Sequence, residues 1–244
     1  MKIVEQKHAK IFTEFTPELT HHNCVFINYV LKSNSVSQPI RPVSNSNAPN
    51  SINQNLNASI ISGPNYLNSG LACLLGFRLR GGAGWSCDLS RAYRSLYTTD
   101  LVNHLRIFFW FTNVHDSTTM VPMCFLRVNF GDKAASLLLE IALRDYIGPL
   151  AEVPEVIEAV QNTRLVDDWM GSIEDASRLP LIETDIKRIC SEYGFKVKTF
   201  NFSGQPDDEN GEVAPTLLGL TWLCRRDLLT VQTQFFPGEK RRGK

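Results

Sequence analysis

The chain has 244 residues, 43% hydrophobic and 20% charged, with 25 basic against 25 acidic side chains. That apolar fraction and a net charge of +0 exclude disorder of the whole chain. They also argue against gripping nucleic acid through a broad basic field alone, while leaving room for a local groove. The length suits one globular domain or two small subdomains. The densest apolar run, Ile107-Phe108-Phe109-Trp110-Phe111, is strand-sized and far short of the ~18 residues of a membrane span. The N-terminal Met1-Lys2-Ile3-Val4-Glu5-Gln6-Lys7 has no apolar signal region. The expectation is an intracellular protein, cytoplasmic or nuclear, neither secreted nor membrane-bound. Cys24, Cys73, Cys87, Cys124, Cys190 and Cys224 form no Cys-x-x-Cys pair and read as reduced packing residues.

In chain order, residues 1–40 lack a clean helical period, but Val25 to Leu31 is β-branched and aromatic and predicts a strand. Residues 42–70 are rich in Asn, Ser and Pro and predict an extended loop. Leu71, Leu74, Leu75 and Phe77 recur at helical spacing until Gly81-Gly82-Ala83-Gly84. Leu105–Phe111 and Met123–Val128, separated by turn residues, predict an antiparallel hairpin. Lys133–Tyr146 is the strongest helix, with Ala134, Leu137, Leu138, Ile141 and Ala142 sharing one face before Gly148-Pro149. Val156–Val160 predicts a short helix. Ser172 with Asp175 resembles a capping box for a further helix, restarted at Pro180 and closed by Gly194. Strands follow over Phe195–Phe200 and Leu218–Leu223, and Arg225-Arg226-Asp227 turns the latter into Leu228–Gln232. Helices mixed with antiparallel hairpins indicate an α+β fold.

Chemistry concentrates in Arg164-Leu165-Val166-Asp167-Asp168-Trp169-Met170. Two adjacent carboxylates between apolar residues suggest a hairpin tip. Like charges repel and are costly to desolvate, so a cation should offset them. Hard Mg²⁺ prefers carboxylate oxygen. By itself the dipeptide reads first as a solvated Asp-Asp turn. Asp88, in Trp85-Ser86-Cys87-Asp88-Leu89-Ser90-Arg91-Ala92-Tyr93, ends a short apolar run. It would complete a two-metal site if it faced the turn carboxylates; alone it reads as a helix N-cap.

The order and surroundings of these features, over about residues 20 to 235, resemble a reverse transcriptase of the BEL/Pao-like LTR retrotransposons. Arg41-Pro42-Val43, Leu56-Asn57 and Gly63-Pro64 resemble the family's fingers signature. Asp88 to Tyr93 resembles polymerase motif A, and Val128-Asn129-Phe130-Gly131-Asp132-Lys133-Ala134 motif B. Leu165-Val166-Asp167-Asp168 resembles motif C, Gly194-Phe195-Lys196-Val197-Lys198 motif D, and Leu217-Leu218-Gly219-Leu220-Thr221-Trp222 the primer-holding motif E. The resemblance implies an α+β right-hand palm, a small antiparallel sheet backed by helices, with a fingers subdomain and no thumb. It implies a fingers-like part over 1–84, palm over 85–104, a fingers hairpin over 105–128, palm over 129–236 and a basic tail over 237–244. The implied reaction is two-metal addition of dNTPs to a primer 3′-end on an RNA or DNA template. Two Mg²⁺ ions would bind Asp88, Asp167 and Asp168, with Asp168 the supporting ligand. Arg41 would contact the triphosphate, which guanidinium matches bidentately. The backbone at Arg91 and Ala92 would cradle its phosphates. Tyr93 would exclude a 2′-hydroxyl, unless it is only a core aromatic. Phe130 and Gly131 would lie against the nucleotide or template base, unless they form an ordinary pre-helix turn. The implied partners are template-primer nucleic acid and dNTP, with no membrane, and thumb and RNase H portions supplied from a longer polyprotein.

The sequence departs from the family pattern at several positions. Leu165 replaces the aromatic that usually opens motif C, Asn129 a frequent Pro, Ala135-Ser136 a frequent Ser-Pro, and Asn45 a frequent Asp. The family's motif D Lys falls on Thr199, and a one-residue offset in a strand points to the opposite face, so Lys198 reads as a solvated lysine rather than a proton donor. Two further readings stay open. One is an inactive or domesticated fragment serving as a nucleic-acid or protein interaction module. The other is a metal-dependent phosphohydrolase on the same carboxylates. His21-His22 with Cys24 matches no zinc spacing, Gly81-Gly82-Ala83-Gly84 is no P-loop, and the acceptor patterns at Asn57 and Asn201 read as chance.

Overall fold

The computed structural model describes residues 2–13, 23–31, 40–50, 52–113 and 115–231. The His21-His22 pair and the basic tail lie outside them. In chain order the first elements are α1 (Lys2–Glu5), β1 (Ala9–Ile11), β2 (Phe26–Leu31), β3 (Ile40–Asn45), α2 (Leu56–Ser59), α3 (Gly70–Leu79), β4 (Ala83–Ser90) and α4 (Ala92–Ser95). There follow β5 (Ile107–Phe111), β6 (Met120–Phe125), α5 (Ala135–Ile141), α6 (Pro154–Asn162), β7 (Arg164–Leu165), β8 (Asp168–Ile173), α7 (Leu179–Glu192), β9 (Lys196–Phe202), β10 (Thr216–Leu217), β11 (Leu220–Leu223) and β12 (Leu228–Thr230). They form two compact units interleaved in sequence. One is Met1–Leu67, Ser90–Leu150 and Ile189–Lys196; the other is Asn68–Leu89, Ala151–Arg188 and Val197–Lys244.

In the first unit β1, β6 and β5 make a three-stranded antiparallel sheet, and β2 pairs with β3. The expected hairpin is thus present, with Phe109 opposite Pro122. The β1–β6 register ends at Ile11 opposite Met123, and just beyond it Pro122 only accepts, from Phe12 N at 3.0 Å, so its missing N–H breaks no bond of that ladder. Phe108 stacks on Phe125 at 4.2 Å, and Ala9, Val25, Leu56 and Met123 close that core. Burying such apolar surface contributes roughly 25 cal/mol per Å².

Three sequence expectations are corrected here. The stretch 42–70 is not loop throughout: β3 runs to Asn45, and Asn55 caps α2 by accepting from Ala58 N, the local hydrogen bond for which Asn is favoured at helix starts. The buried side of α5 is Ala135, Leu139, Leu143 and Ile147, whereas Leu138 is 43% exposed. That line advances four residues per step because the helix widens into a π-turn over Ala142–Ile147. Apolar residues on nearly every side of this segment leave its sequence period ambiguous. Ser172 lies within β8 and accepts from Arg80 N while donating to Gly76 O. Asp175 alone provides a cap, accepting from Ser177 N ahead of α7.

The second unit holds a four-stranded sheet in the order β7-β8-β4-β9. On β4, Trp85, Cys87 and Leu89 point to one face with Trp169 and Ile173 of β8, and all are buried. Ser86, Asp88, Asp168 and Met170 point to the other. Met170 is also buried, in a cluster with Cys73, Phe77, Leu217, Trp222 and Cys224. Both sheet faces are therefore covered, and β4 reads as a nearly continuous buried run rather than an alternating one. The strands β10, β11 and β12 form a separate small sheet. Its first turn has positive φ at Leu218 and Gly219, as a type I′ hairpin requires. Trp222 Nε1 donates to Asp227 at 2.8 Å, and Arg78 Nη1 donates to both oxygens of that carboxylate at 2.8 and 2.9 Å. All six cysteines are free thiols, five of them buried. Among the described residues no helix is long and apolar enough to cross a membrane.

Candidate active site

The carboxylates meet at one end of the second unit's sheet. Antiparallel register sets Asp88 of β4 directly opposite Asp168 of β8. Directly opposed residues place their side chains on the same face, with Cβ atoms about 5 Å apart. Asp167 occupies the two-residue turn between β7 and β8, and its carbonyl accepts from Leu89 N. Residues about 80 apart in sequence are thereby brought together.

The turn itself is strained. Val166 has φ +56°, in a region that β-branched residues rarely enter. Arg164, fully buried, donates from Nη1 to Val166 O at 3.0 Å. Asn68 Nδ2 donates to Arg164 O at 2.8 Å. These two residues hold the turn, and motif reading missed both. Arg164 did stand at the motif's edge, but nothing in sequence marks Asn68 as its partner.

Burial, then Asp167, then Asp88 push the Asp168 carboxyl up from 3.8 to about 6, against an opposing pull from Lys198. Asp167 is raised as well, by burial first and then by Asp88. Lys198 Nζ lies 3.3 Å from Asp88 Oδ2, with 60% of the lysine side chain exposed. Lys198 is largely exposed, as the sequence reading has it, and β9 also presents it toward Asp88. Among the described residues no three His, Cys, Asp or Glu side chains are gathered closely enough to hold a metal as they stand. Asp88, Asp167 and Asp168 are therefore neighbours without being a closed cage. As donors they suit a hard divalent cation, which would reverse the mutual repulsion that raises Asp168.

The other expected site residues lie in the first unit. Arg41 is opposite Val30 in the β2–β3 ladder. Arg91 has φ +56° and is exposed, and Ala92 is buried. Tyr93 is buried at 8% exposure. Its hydroxyl shares a 3.1 Å hydrogen bond with Ser136 Oγ, and its ring meets Phe130 edge-on at 4.7 Å. Phe130 is 44% exposed. Gly131 has φ +101°, and Ser44 O fills the space that a Cβ there would need, so only glycine fits.

This turn is clamped by residues that the sequence reading left without a role. Asn57 Nδ2 donates to Gly131 O at 2.8 Å and its Oδ1 accepts from Lys133 N at 2.8 Å. That use accounts for a buried Asn57. Asp132 accepts from Ser46 Oγ at 2.7 Å and from Asn129 N at 3.2 Å, and forms a buried ion pair with Arg106.

No protein-family model and no curated protein sequence matches the chain. Solved structures do. The foamy viral protease-reverse transcriptase in complex with RNA/DNA hybrid matches with TM-score 0.63 and 17% identity, over 96% of this chain and 26% of that one. A second foamy viral protease-reverse transcriptase structure, in complex with ds DNA, matches with TM-score 0.62 and 18% identity over 96% of this chain and 34% of the other. A third, with dsDNA, gives 0.58 and 18% over 90% and 38%. This chain spans less than two fifths of those chains. At such identities the likeness shows the fold alone: a mixed helix-and-sheet chain built like these reverse transcriptase structures.

Proposed function

We propose that the chain is the fingers and palm of a reverse transcriptase from a BEL/Pao-like LTR retrotransposon. In this reading it adds dNTPs to a primer 3′-end on an RNA or DNA template. The observation that carries it is the Asp88–Asp168 cross-strand pair beside Asp167, set in a fold shared with reverse transcriptase structures. Asp88, Asp167 and Asp168 would supply the oxygen ligands for Mg²⁺. Held there, the ion would supply positive charge, lowering the pKa of the primer 3′-hydroxyl and offsetting the charge of the triphosphate and pyrophosphate. The strained Val166 turn, braced by Arg164, holds the two turn carboxylates in one orientation, and such preorganisation is where phosphoryl transfer gains most. Arg41 and the backbone at Arg91 and Ala92 receive the triphosphate. Tyr93, pinned by Ser136 and Phe130, selects deoxyribose by bulk, and Gly131 and Phe130 border the nucleotide. The motif A segment, motifs B to E and the β10–β12 sheet constitute the palm in this assignment. The segments 1–84 and 105–128 constitute the fingers.

Primer extension with Mg²⁺ and dNTPs on RNA and DNA templates tests the reading. Extension lost in Asp88→Asn and Asp167→Asn supports it. Folded wild-type protein that extends no primer on any template overturns it. Phosphate release without a primer points instead to a phosphohydrolase. One observation favours a second reading, an inactive nucleic-acid-binding module: Lys198 already places a positive charge on Asp88, the role a metal otherwise fills.

A further inference from the structure

Toward the end of β8 away from Asp168, the second unit holds a cavity of about 640 Å³, within the range of small-molecule sites. All of its described lining residues lie in that unit. Gly76, Trp85, Gly171 and Ile173 make its floor, and all four are buried. Trp85 is 1% exposed, and its Nε1 has no hydrogen-bond acceptor among the described residues. That nitrogen faces the Gly171 wall, where an added Cβ would come within 2.9 Å of Nε1, Cε2 and Cζ2. The missing side chain at position 171 therefore leaves the polar edge of the indole uncovered. Arg178 repeats the pattern at the rim. Its Nη2 donates to Glu155 Oε2 at 2.8 Å, while its Nε is buried without a partner among the described residues.

A buried indole N–H normally finds a partner, because an unmade hydrogen bond leaves the full cost of drying the donor. Both orphaned groups are donors, so the fitting ligand brings an acceptor oxygen. The surrounding charges select against an anion. Four carboxylates line the cavity, those of Glu155, Glu158, Glu174 and Asp175, against the two guanidiniums of Arg80 and Arg178. Arg178 pairs with Glu155 and Arg80 with Glu158, which leaves the negative charge of exposed Glu174 and Asp175 in excess. A neutral carbonyl thus suits the floor, and a positive charge suits the rim.

We infer that this cavity binds a small organic cation built in three parts. A carbonyl oxygen accepts from Trp85 Nε1, an apolar body lies over Gly171 and Ile173, and a protonated amine meets Glu174 and Asp175. None of these residues is a carboxylate of the candidate active site or a nucleotide contact named above, and the inference does not rest on the polymerase reading. Para-(aminomethyl)benzamide carries the three parts in line and serves as the probe. It is titrated into the isotope-labelled full chain without metal or nucleotide, and the tryptophan indole N–H resonances are followed by NMR. Three analogues dissect it: benzylamine lacks the carbonyl, benzamide lacks the amine, and para-(aminomethyl)benzoate puts an anion in the carbonyl's place. At millimolar concentration the probe shifts one indole resonance saturably, and that resonance is absent from Trp85→Phe. Benzylamine, the benzoate and the Trp85→Phe variant each bind about tenfold more weakly. Glu174→Gln, a change at an exposed residue, weakens the probe severalfold and leaves benzamide unaffected. Circular dichroism verifies the folding of both variants, and the analogue series on wild-type protein decides the case if Trp85→Phe does not fold. The inference is overturned if wild-type protein shows no saturable shift, if benzylamine binds as tightly as the probe, if the shifting resonance persists in Trp85→Phe, or if Glu174→Gln changes nothing. Loss of primer extension moves none of these readouts, so the two proposals fail independently.

Discussion

Replacing Asp168 by Asn isolates the electrostatic cost of the candidate site. The folded protein holds the Asp168 proton up to about 6, whereas the ordinary value is 3.8. Between those values the folded state binds more protons than the unfolded chain, so stability falls as pH rises through the window. Below about pH 4 the penalty is absent, and above about pH 6 it is complete. Two pKa units correspond to roughly 3 kcal/mol. Asp168 is partly solvated, and screening reduces this to about 1.5 kcal/mol. Burial and Asp167 are the main sources of the shift, and Asn removes the charge while keeping the shape. In EDTA, Asp168→Asn should be more stable than wild type by about 1.5 kcal/mol near pH 8, with the gap closing toward about pH 4.5. Urea denaturation at the two pH values measures both. Millimolar Mg²⁺ should then stabilise wild type more than the variant. A variant less stable than wild type at the higher pH, or a gap independent of pH, would show that the cost of charging Asp168, set by burial and then by its carboxylate neighbours, is not the governing effect.

Three further outcomes follow from the geometry. Val166→Gly removes the left-handed strain at the turn and should raise stability by about 1 kcal/mol; a drop in urea midpoint refutes the strain. Asp132→Ala leaves Arg106, only 7% exposed, as a buried unpaired charge and should cost about 3–5 kcal/mol, whereas Arg106→Met combined with Asp132→Leu should recover much of it. An additive double variant would show that the pair is not coupled. Gly131→Ala forces a Cβ against Ser44 O at positive φ and should cost about 1–3 kcal/mol by thermal denaturation; a neutral result means the β3 segment yields freely.

What the amino-acid order determines by itself is local. Strand runs of β-branched and aromatic residues, the glycine break after α3, a short helix around Val156–Val160 and the hairpin made by β5 and β6 all follow from side-chain period and turn chemistry. The adjacency of Asp167 and Asp168 at a hairpin tip is local as well, whereas the Asn-, Ser- and Pro-rich composition around Asn55 reads as loop and hides the α2 that it caps. Tertiary structure decides where long-range partners meet. Register sets Asp88 opposite Asp168 rather than Asp167, and a one-residue slip would turn the carboxylate to the other face. Lys198 meets Asp88 across 110 residues, Ser46 meets Asp132 across 86, and Asn57 meets Gly131 across 74. The buried line of α5 depends on what packs against it, since apolar residues surround that helix and its π-turn shifts the period. Short-range conformational preferences are written along the chain. A polar group's partner, and which of two apolar faces is buried, are settled only when distant segments compete for the same volume and the same hydrogen bonds.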